Sequence, residues 1–303
     1  MRTLGPRLIY KWRTVSKNLI YSAAVKLRRR GCTPVGIEKN GNWILKLNVT
    51  NALGEKGDLL QIPKDEGIYE NIQFRAQWEL EECDFLSHEL KKLRSDGFRT
   101  DGTLLDIGAN AGWITLQTLR LAKTKPRVIL VEPIQRHLDA IQFNMKRIEV
   151  EYEIVPFALS TTNGTATIFT EDFNHGNSSL DKSVVSTKGA METEINLKRT
   201  VDFATEFLSE DEVFILKCDI QGRDAEVLSQ LPDSVWERTR AAVVEIWAVD
   251  SIDSVDVEKC FQLWEKFPYI SWSFYQPKQL TFSKISEFWF SGTKETRNLF
   301  LHR

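Results

Sequence analysis

The sequence predicts an α/β fold: a doubly wound, mostly parallel sheet with helices on both faces and an N-terminal helix and β-hairpin extension. From residue 103 onward, short apolar segments alternate with amphipathic ones of about 10–15 residues, which is typical of βαβ units. The apolar segments lack polar alternation, as expected for strands buried on both faces. Right-handed crossovers then place helices on both sides of the sheet. With 42% hydrophobic and 27% charged residues, the composition is that of a globular protein.

The chain begins with a basic segment. Nine cations precede the first acidic residue, Glu38, and the remaining 31 of the 40 cations face 42 acids. Within this segment, residues 8–27 carry apolar side chains at steps of three and four, which predicts a helix. Three interpretations of this helix are open. It packs on the fold, it lies on an anionic membrane surface, or it is an organellar presequence. No apolar run approaches the ~20 residues needed to span a bilayer, so we expect a cytoplasmic protein, with peripheral membrane contact through residues 8–27 as one alternative.

Two further elements precede the alternation. Residues 34–62 alternate in polarity and contain the turn-forming pair Asn40-Gly41, which predicts strands joined in hairpins. Residues 75–94 carry an apolar stripe at helical spacing, and Asp96-Gly97 follows as a stop signal. We therefore divide the chain into an extension, residues 1–70, and a main domain, residues 71–303.

The main domain holds the predicted sheet. Its predicted strands cover residues 103–107, 127–132, 152–159, 212–220 and 241–247, with two last strands at 269–275 and 298–302. Its predicted helices cover residues 113–122, 134–148, 224–231 and 256–267. Residues 165–170 alternate and predict an additional β-segment, whereas the polar stretch 172–197 predicts a long loop.

Ligands of such sheets bind at the carboxyl ends of the strands, where the first strand continues into Asp106-Ile-Gly-Ala-Asn-Ala-Gly112. The two glycines have the spacing G-x-x-x-G, not the G-x-G-x-x-G of dinucleotide sites. Asp106 would also repel a pyrophosphate. We expect a ligand with positive charge and no phosphate, and S-adenosylmethionine fits because Asp106 attracts its ammonium directly or through water. The alternative is a tight turn without a ligand.

The next two strand ends point to an adenosine group. Glu132, at the tip of the second strand, is placed to accept hydrogen bonds from two ribose hydroxyls, unless it is simply a solvated acid. Phe157 and Ala158, near the end of the third strand, are placed to pack on an adenine ring. A core phenylalanine is the alternative for Phe157.

Polar residues also end the fourth strand, where Lys217, Asp219 and Gln221 share one face by alternation. Charged residues on a central strand need partners or a cleft. Either Lys217 and Asp219 pair within the fold, or Asp219 faces the methyl donor and the acceptor.

Together these motifs, D-I-G-A-N-A-G, V-E-P, K-x-D-x-x-G-x-D and V-V-E, resemble those of the FkbM-type methyltransferases over roughly residues 70–250. The resemblance implies a seven-strand, Rossmann-like class I methyltransferase sheet and transfer of a methyl group to a hydroxyl, often of a sugar or secondary metabolite. By position it implies cofactor contacts from Asp106, Gly108, Asn110, Gly112 and Glu132, and an active-site role for Asp219. The family usually has K-x-D-x-E-G-x-E, whereas this chain has Gln221 and Asp224 in place of the two glutamates.

An acceptor hydroxyl needs a base for its proton, and three residues are candidates for catalysis. They are Asp219, His175 in the polar loop and Glu245 at the end of the fifth strand. His175 is otherwise an ordinary exposed histidine, and Glu245 could instead orient the acceptor. A metal held by Asp219, Asp224 and Glu245 is disfavoured, because the neutral amide of Gln221 weakens that cluster.

The expected partner is a small-molecule or glycan acceptor, and no nucleic acid is expected because the body of the chain is acidic. Two alternatives remain. One is a nucleic-acid ribose methyltransferase whose basic segment contacts phosphates. The other is a weakened methyltransferase-like binding module anchored to a membrane surface. The four cysteines form no metal or disulfide pattern and are expected to be separate buried thiols.

Overall fold

A computed structural model describes most of the chain. The described residues are 31–51, 53–64, 68–98, 101–171, 178–180, 182, 185, 190–248, 253–293 and 295–303. The predicted helix over residues 8–27 and the candidate His175 lie outside them. The interpretations of both therefore stay predictions.

The core of the fold is a seven-stranded mixed sheet. Its strands, in order across the sheet, are β13 (Tyr269–Ser271), β14 (Thr296–His302), β12 (Thr239–Trp247), β11 (Phe214–Cys218), β4 (Thr103–Ile107), β5 (Arg127–Val131) and β6 (Tyr152–Val155). The five strands from β12 to β6 are parallel, and β14 runs antiparallel to both of its neighbours. The predicted doubly wound, mostly parallel seven-strand sheet is confirmed. The switch point of its topology lies between β4 and β11, where such sheets bind ligands.

Helices cover both faces of this sheet. They are α1 (Ile68–Arg75), α2 (Leu80–Ser95), α3 (Trp113–Ala122), α4 (Gln135–Met145), α5 (Thr200–Phe207), α6 (Asp224–Gln230), α7 (Asp233–Arg238), α8 (Ser254–Trp264) and α9 (Phe282–Trp289). Adjacent strand residues point to opposite sides, so Leu104 packs with α2, α3 and α4, whereas Leu105 packs with the cluster formed by α5 to α9. Burial on both faces explains why the strands are apolar throughout.

The predicted hairpins form a small antiparallel sheet. Its strands are β1 (Cys32–Ile37), β2 (Asn42–Leu47) and β3 (Leu59–Pro63). The sheet shares an apolar cluster with α1, α3 and α4. The buried Asn144 side chain ties it to the main domain, because Nδ2 donates to the carbonyls of Gln61 and Ala111 at 2.9 Å each. The extension thus supports the loop that follows β4.

A third sheet has four strands, all of which follow β6 along the chain. Its strands are β7 (Ala158–Ser160), β8 (Gly164–Glu171), β9 (Ser178–Ser179) and β10 (Ala190–Arg199). The predicted β-segment at 165–170 is confirmed as β8. The predicted loop over 172–197 is wrong from residue 190 onward, because β10 pairs with β8 there. Ile195 is the only buried residue of β10. A strand that is polar on both faces carries little apolar signal.

Other differences concern boundaries and short helices. The predicted third strand divides at Pro156, so that β6 joins the main sheet and β7 pairs with β10. The helix predicted from residue 75 begins at Leu80 and is preceded by α1; α5, α7 and α9 were not predicted. All four cysteines are buried and free, as expected. No helix within the described ranges has the length and apolar character needed to cross a membrane.

Candidate active site

The loop after β4 is wedged between two neighbouring strand ends. The backbone amides of Gly108 and Ala109 both donate to the Val131 carbonyl at 3.0 Å. Gly108 has φ +77°, and a Cβ atom there would lie 1.9 Å from the Asp219 carbonyl oxygen. Only glycine satisfies both constraints.

The next residues of the loop also adopt left-handed backbone. Asn110 has φ +51°, a conformation that asparagine tolerates better than most residues, and its side-chain oxygen accepts from the Ala111 amide at 2.7 Å. Gly112, at φ +75°, precedes the first turn of α3. The D-I-G-A-N-A-G sequence therefore encodes this turn and directs the N-terminus of α3 toward the switch point.

Glu132 holds the loop in place from the end of β5. Its carboxylate accepts from the Asn110 amide at 2.9 Å, from the Ile134 amide at 3.0 Å and lies 3.1 Å from His137 Nδ1. A carboxylate has about four acceptor positions, so roughly one remains for a ligand. Glu132 lines the cavity described below, and its contact with a ribose stays a prediction. His137 is buried and was not predicted.

Asp106, near the end of β4, is buried and paired within the fold. It is only 1% exposed and is absent from the cavity wall. One oxygen accepts from the Thr115 hydroxyl at 2.7 Å and the other lies 3.3 Å from Lys217 Nζ. Its register partner Lys217 on β11 supplies a countercharge, and the predicted attraction of a ligand ammonium by Asp106, directly or through water, stays a prediction. Asp106 supports the loop from below.

Lys217 links the two strand ends at the switch point. Its Nζ donates to the Gly108 carbonyl at 2.7 Å and lies 3.8 Å from Asp219. Burial alone would lower the pKa of Lys217, but Asp106, Asp219 and Glu79 outweigh burial and raise it above its ordinary value. Asp219 lies near Lys217 and also lines the cavity, and its contact with the methyl donor and the acceptor stays a prediction.

Asp219 and Glu245 are joined by one amide group. Gln221 Nε2 donates to Asp219 Oδ1 at 2.6 Å and to Glu245 Oε2 at 2.8 Å. The Trp247 indole donates to the same Glu245 oxygen at 2.5 Å. Burial and the charge of Asp219 raise the pKa of Glu245 well above its usual value. Gln221 thus joins two acids that were predicted from the sequence, Asp219 and Glu245. This role of Gln221 was not predicted.

Asp224 serves the local backbone. Its buried carboxylate accepts from the Ile220 amide at 3.1 Å and the Gly222 amide at 3.3 Å, at the start of α6. It does not line the cavity, so it does not join Asp219 and Glu245 in a ligand set. The described residues contain no cluster of three or more acidic, histidine or cysteine side chains suited to a metal ion.

These strand ends surround a cavity of about 330 Å³. Phe157 and Ala158 lie on its wall, and packing on adenine stays a prediction for them. Three tryptophans contribute aromatic surface: Trp78, Trp113 and Trp247. The charged residues of the wall are Glu79, Glu132, Asp219, Glu245, Lys217 and Arg223. Acids therefore outnumber cations there.

Glu79 is the acid that sequence reasoning missed. It lies immediately before α2, with φ +45° and ψ +60°. Burial, followed by the charge of Asp219, raises its pKa to about 8. An acid at the start of a helix is ordinary, so no sequence signal distinguished it.

The comparisons with known proteins agree on one class. The methyltransferase FkbM domain is matched by residues 106–279, more than half of the chain. Methyltransferase 1 of Beauveria bassiana (strain ARSEF 2860) is 27% identical over 214 residues, which cover 64% of this chain and 82% of that protein.

Two solved structures are similar in outline. The methyltransferase FkbM of Methylobacillus flagellatus KT has 15% identity and a TM-score of 0.40, covering 77% of this chain and 52% of that one. The SAM-dependent methyltransferase of Agrobacterium tumefaciens has 7% identity and a TM-score of 0.42, covering 89% and 70%.

Proposed function

This chain is an S-adenosylmethionine-dependent methyltransferase of the FkbM family, and we propose that it methylates a hydroxyl group of a sugar, glycan or secondary metabolite. The observation that carries the proposal is the group Asp219, Gln221 and Glu245 on the wall of the cavity beside the loop after β4. The donor and the acceptor would share this one cavity.

The charges of the cavity suit the methyl donor. Glu79, Glu132, Asp219 and Glu245 line it, whereas the cation Lys217 is already held by Asp106 and Arg223 by Glu226. A cation in the cavity is stabilised by these carboxyl groups and lowers the raised pKa values of Glu79 and Glu245, whereas a diphosphate would raise them further, so the cavity favours a sulfonium and an ammonium group. We assign the cofactor to the loop Gly108–Gly112 and to Glu132, with Phe157 and Ala158 beside its base. When bound, the cofactor supplies an electrophilic methyl group.

The acceptor side suits hydroxyl groups. Asp219 and Glu245 contact each other, and Gln221 and Trp247 fill three of their roughly eight acceptor positions. A polyhydroxylated acceptor brings the donors that these carboxylates lack. The Trp247 indole adds an apolar surface against which a sugar ring can pack.

The protein residues position the acceptor. Asp219 accepts a hydrogen bond from one hydroxyl and thereby fixes the direction of its oxygen. The raised pKa of Glu245 favours its protonated form, which donates to a neighbouring acceptor oxygen as well as accepting.

The test is methyl transfer from S-adenosylmethionine labelled in its methyl group. Full-length protein is incubated with a panel of sugars, glycans and hydroxylated metabolites, with the O-methylated form of each as a matched control and with amines and RNA alongside. We expect label on hydroxylated acceptors and none on their O-methylated forms. Label on amines or RNA alone, or on no compound, would contradict the proposal.

A variant then tests Asp219. Asp219→Asn should lower kcat on an active acceptor about 100-fold, because the acceptor oxygen loses the carboxylate that orients it. The dissociation constant of S-adenosylhomocysteine should stay close to the wild-type value. Asp233→Asn, at an exposed position of α7, is the control and should change neither quantity.

A further inference from the structure

We propose that Glu79 is the base that takes the proton of the acceptor hydroxyl, and that it gives up its own proton when the cationic methyl donor enters the cavity. The proposal rests on the proposed function and assigns the base within the same site. It places that base outside residues 106–279, the segment that matches the family.

The side chain of Glu79 does not cap the helix that it precedes. A residue in this position stabilises the protein by about 1 kcal/mol where its side chain accepts a hydrogen bond from the first turn of the helix. Glu79 makes no such bond, and its left-handed backbone costs a further ~1–2 kcal/mol. Strain of this kind persists where the surrounding structure imposes it and clusters at functional sites. The preceding carbonyl, that of Trp78, is held by the side-chain amide of Gln117 at 2.7 Å.

Glu79 differs from the other acids of the cavity wall. Glu132 accepts from backbone amides, and Asp219 and Glu245 accept from Gln221. In the part of the chain that the structure describes, no hydrogen bond joins the Glu79 carboxylate to another residue. Its oxygens are therefore available to a proton from a bound acceptor.

The charges that face Glu79 come from three elements. Asp219 and Lys217 belong to β11 and the turn after it, Asp106 to β4, and Glu82 to α2. Burial and these acids raise its pKa to about 8, so the carboxyl is mostly protonated at pH 7. A cation in the cavity opposes these effects and lowers the pKa of Glu79, which releases the proton to solvent. The base is thus ionised when a methyl donor is present.

The transfer step balances with Glu79 in this role. The acceptor oxygen forms a bond to the methyl carbon, the carbon–sulfur bond breaks and its electron pair stays on sulfur. The hydroxyl proton passes to the Glu79 carboxylate. With the cation neutralised, the pKa of Glu79 returns to its raised value and the carboxyl keeps the proton until the next donor binds. One proton is released to solvent in each cycle.

Proton release measured by titration calorimetry tests this assignment without an acceptor. S-Adenosylmethionine and S-adenosylhomocysteine are each titrated into full-length protein at pH 7, in phosphate and in Tris, whose different ionisation enthalpies report the protons released. Both ligands carry the ammonium group, but only the first carries the sulfonium. We expect the wild-type protein to release about half a proton or more in excess with S-adenosylmethionine.

Glu79→Gln should abolish this excess and leave the affinity for S-adenosylhomocysteine within about threefold, a change below 0.7 kcal/mol. Glu70→Gln, at an exposed position of α1, is the matched control and should behave as wild type. An excess that survives in Glu79→Gln, or equal proton release with both ligands, would overturn the proposal. So would a large loss of S-adenosylhomocysteine affinity, which would assign Glu79 to the ammonium group.

The outcome is separable from that of the proposed function. Proton release that depends on Glu79, together with no label on any hydroxylated acceptor, would retain Glu79 as a donor-controlled carboxylate and reject the acceptor class. Methylated hydroxyls without the excess proton would reject Glu79 alone. Failure of both ligands to bind would overturn both proposals.

Discussion

The two halves of the cavity are built in opposite ways. In the donor half, Glu132 accepts from two backbone amides and contacts His137, and the loop around Gly108 is bonded to β5. In the acceptor half, Asp219 and Glu245 share the amide of Gln221, and the Trp247 indole donates to Glu245. The difference teaches that the chain preorganises the donor half with its own backbone and leaves the acceptor half short of hydrogen-bond donors, which a ligand can supply.

The electrostatics of the acceptor half agree with this difference. The pKa of Glu245 is raised well above normal and that of Glu79 to about 8, in both cases mainly by burial and the charge of Asp219. A carboxyl that is ionised with difficulty is costly in the free protein. It is useful where protons are exchanged near neutral pH.

Substitution of Gly108 should disrupt the donor half with the largest effect. In Gly108→Ala the new Cβ would meet the Asp219 carbonyl at 1.9 Å, at a φ of +77°. We expect the free energy of unfolding to fall by about 4 kcal/mol or more and S-adenosylhomocysteine binding to be lost. Urea unfolding and titration calorimetry measure the two effects.

Gly41 offers a matched control for the cost of placing a side chain on left-handed backbone. Its φ is +81°, yet a Cβ there would have no atom within 4 Å. Gly41→Ala should cost about 1–2 kcal/mol, the conformational term alone, and leave binding unchanged. Equal losses in the two variants would show that the contact with Asp219 is not what requires a glycine at position 108.

Lys217 contacts Gly108 in the donor half and Asp219 in the acceptor half, so its removal should weaken both. Lys217→Met leaves the buried Asp106 without its cation, and we expect a loss of about 3–5 kcal/mol in urea unfolding. Because the folded-state pKa of Lys217 is raised, its contribution is complete below the unfolded pKa of ~10.4 and is lost only as the pH rises above that. The ammonium itself therefore stays charged between pH 6 and pH 8. Lys217 also lowers the pKa of Glu79, so the loss should be somewhat smaller at pH 6, where carboxyls without their cation take up protons more readily.

The control for Lys217 is a surface pair. Lys266 lies 3.5 Å from Glu237 near the surface, and Lys266→Met should cost less than about 1 kcal/mol. A similarly small loss in Lys217→Met would mean that Asp106 does not depend on its buried cation.

Much of the donor half could be predicted from the sequence, because it is encoded locally. Glycines, an asparagine that adopts left-handed backbone and an acid at a strand end lie within short motifs. The ion pair of Asp106 could not be predicted from a local motif, because its partner Lys217 lies 111 residues away and becomes adjacent only through the register of β4 and β11. The argument for a cationic ligand therefore rests on the acids that line the cavity, which are Glu79, Glu132, Asp219 and Glu245.

The acceptor half could be predicted only in part. Asp219 and Glu245 could be predicted because they lie at strand ends. The sequence suggested that Gln221 weakens the site, whereas its amide joins the two acids. Glu79 lies outside the alternation of strands and helices, and only the packing of α2 against the sheet brings it to the cavity. The strand β10 was not predicted because its sequence is polar. Its pairing with β8 depends on contacts with another segment of the chain, which its own sequence does not indicate.

The smallest expected effect comes from Gln221→Glu, which restores the glutamate usual in the family. The two hydrogen bonds that the amide donates would be lost, and a third carboxylate would join Asp219 and Glu245. We expect a loss of about 1–3 kcal/mol at pH 8 in urea unfolding. Carboxyls with a raised folded-state pKa bind more protons in the folded than in the unfolded protein, so stability falls as the pH rises above the unfolded pKa of ~4.3. The loss should therefore shrink toward pH 5.

Mg²⁺ distinguishes this explanation from a simple packing defect. Three carboxylates without the bridging amide are a plausible oxygen ligand set for a divalent cation, so millimolar Mg²⁺ should raise the Tm of Gln221→Glu and leave that of the wild type unchanged. Gln276→Glu, at an exposed position, controls for the added charge and should respond to neither pH nor Mg²⁺ beyond the wild type. If Gln221→Glu were as stable as wild type at pH 8, the amide would not be what holds Asp219 and Glu245 together. The contrast between a satisfied donor half and an unsatisfied acceptor half would then lose its main support.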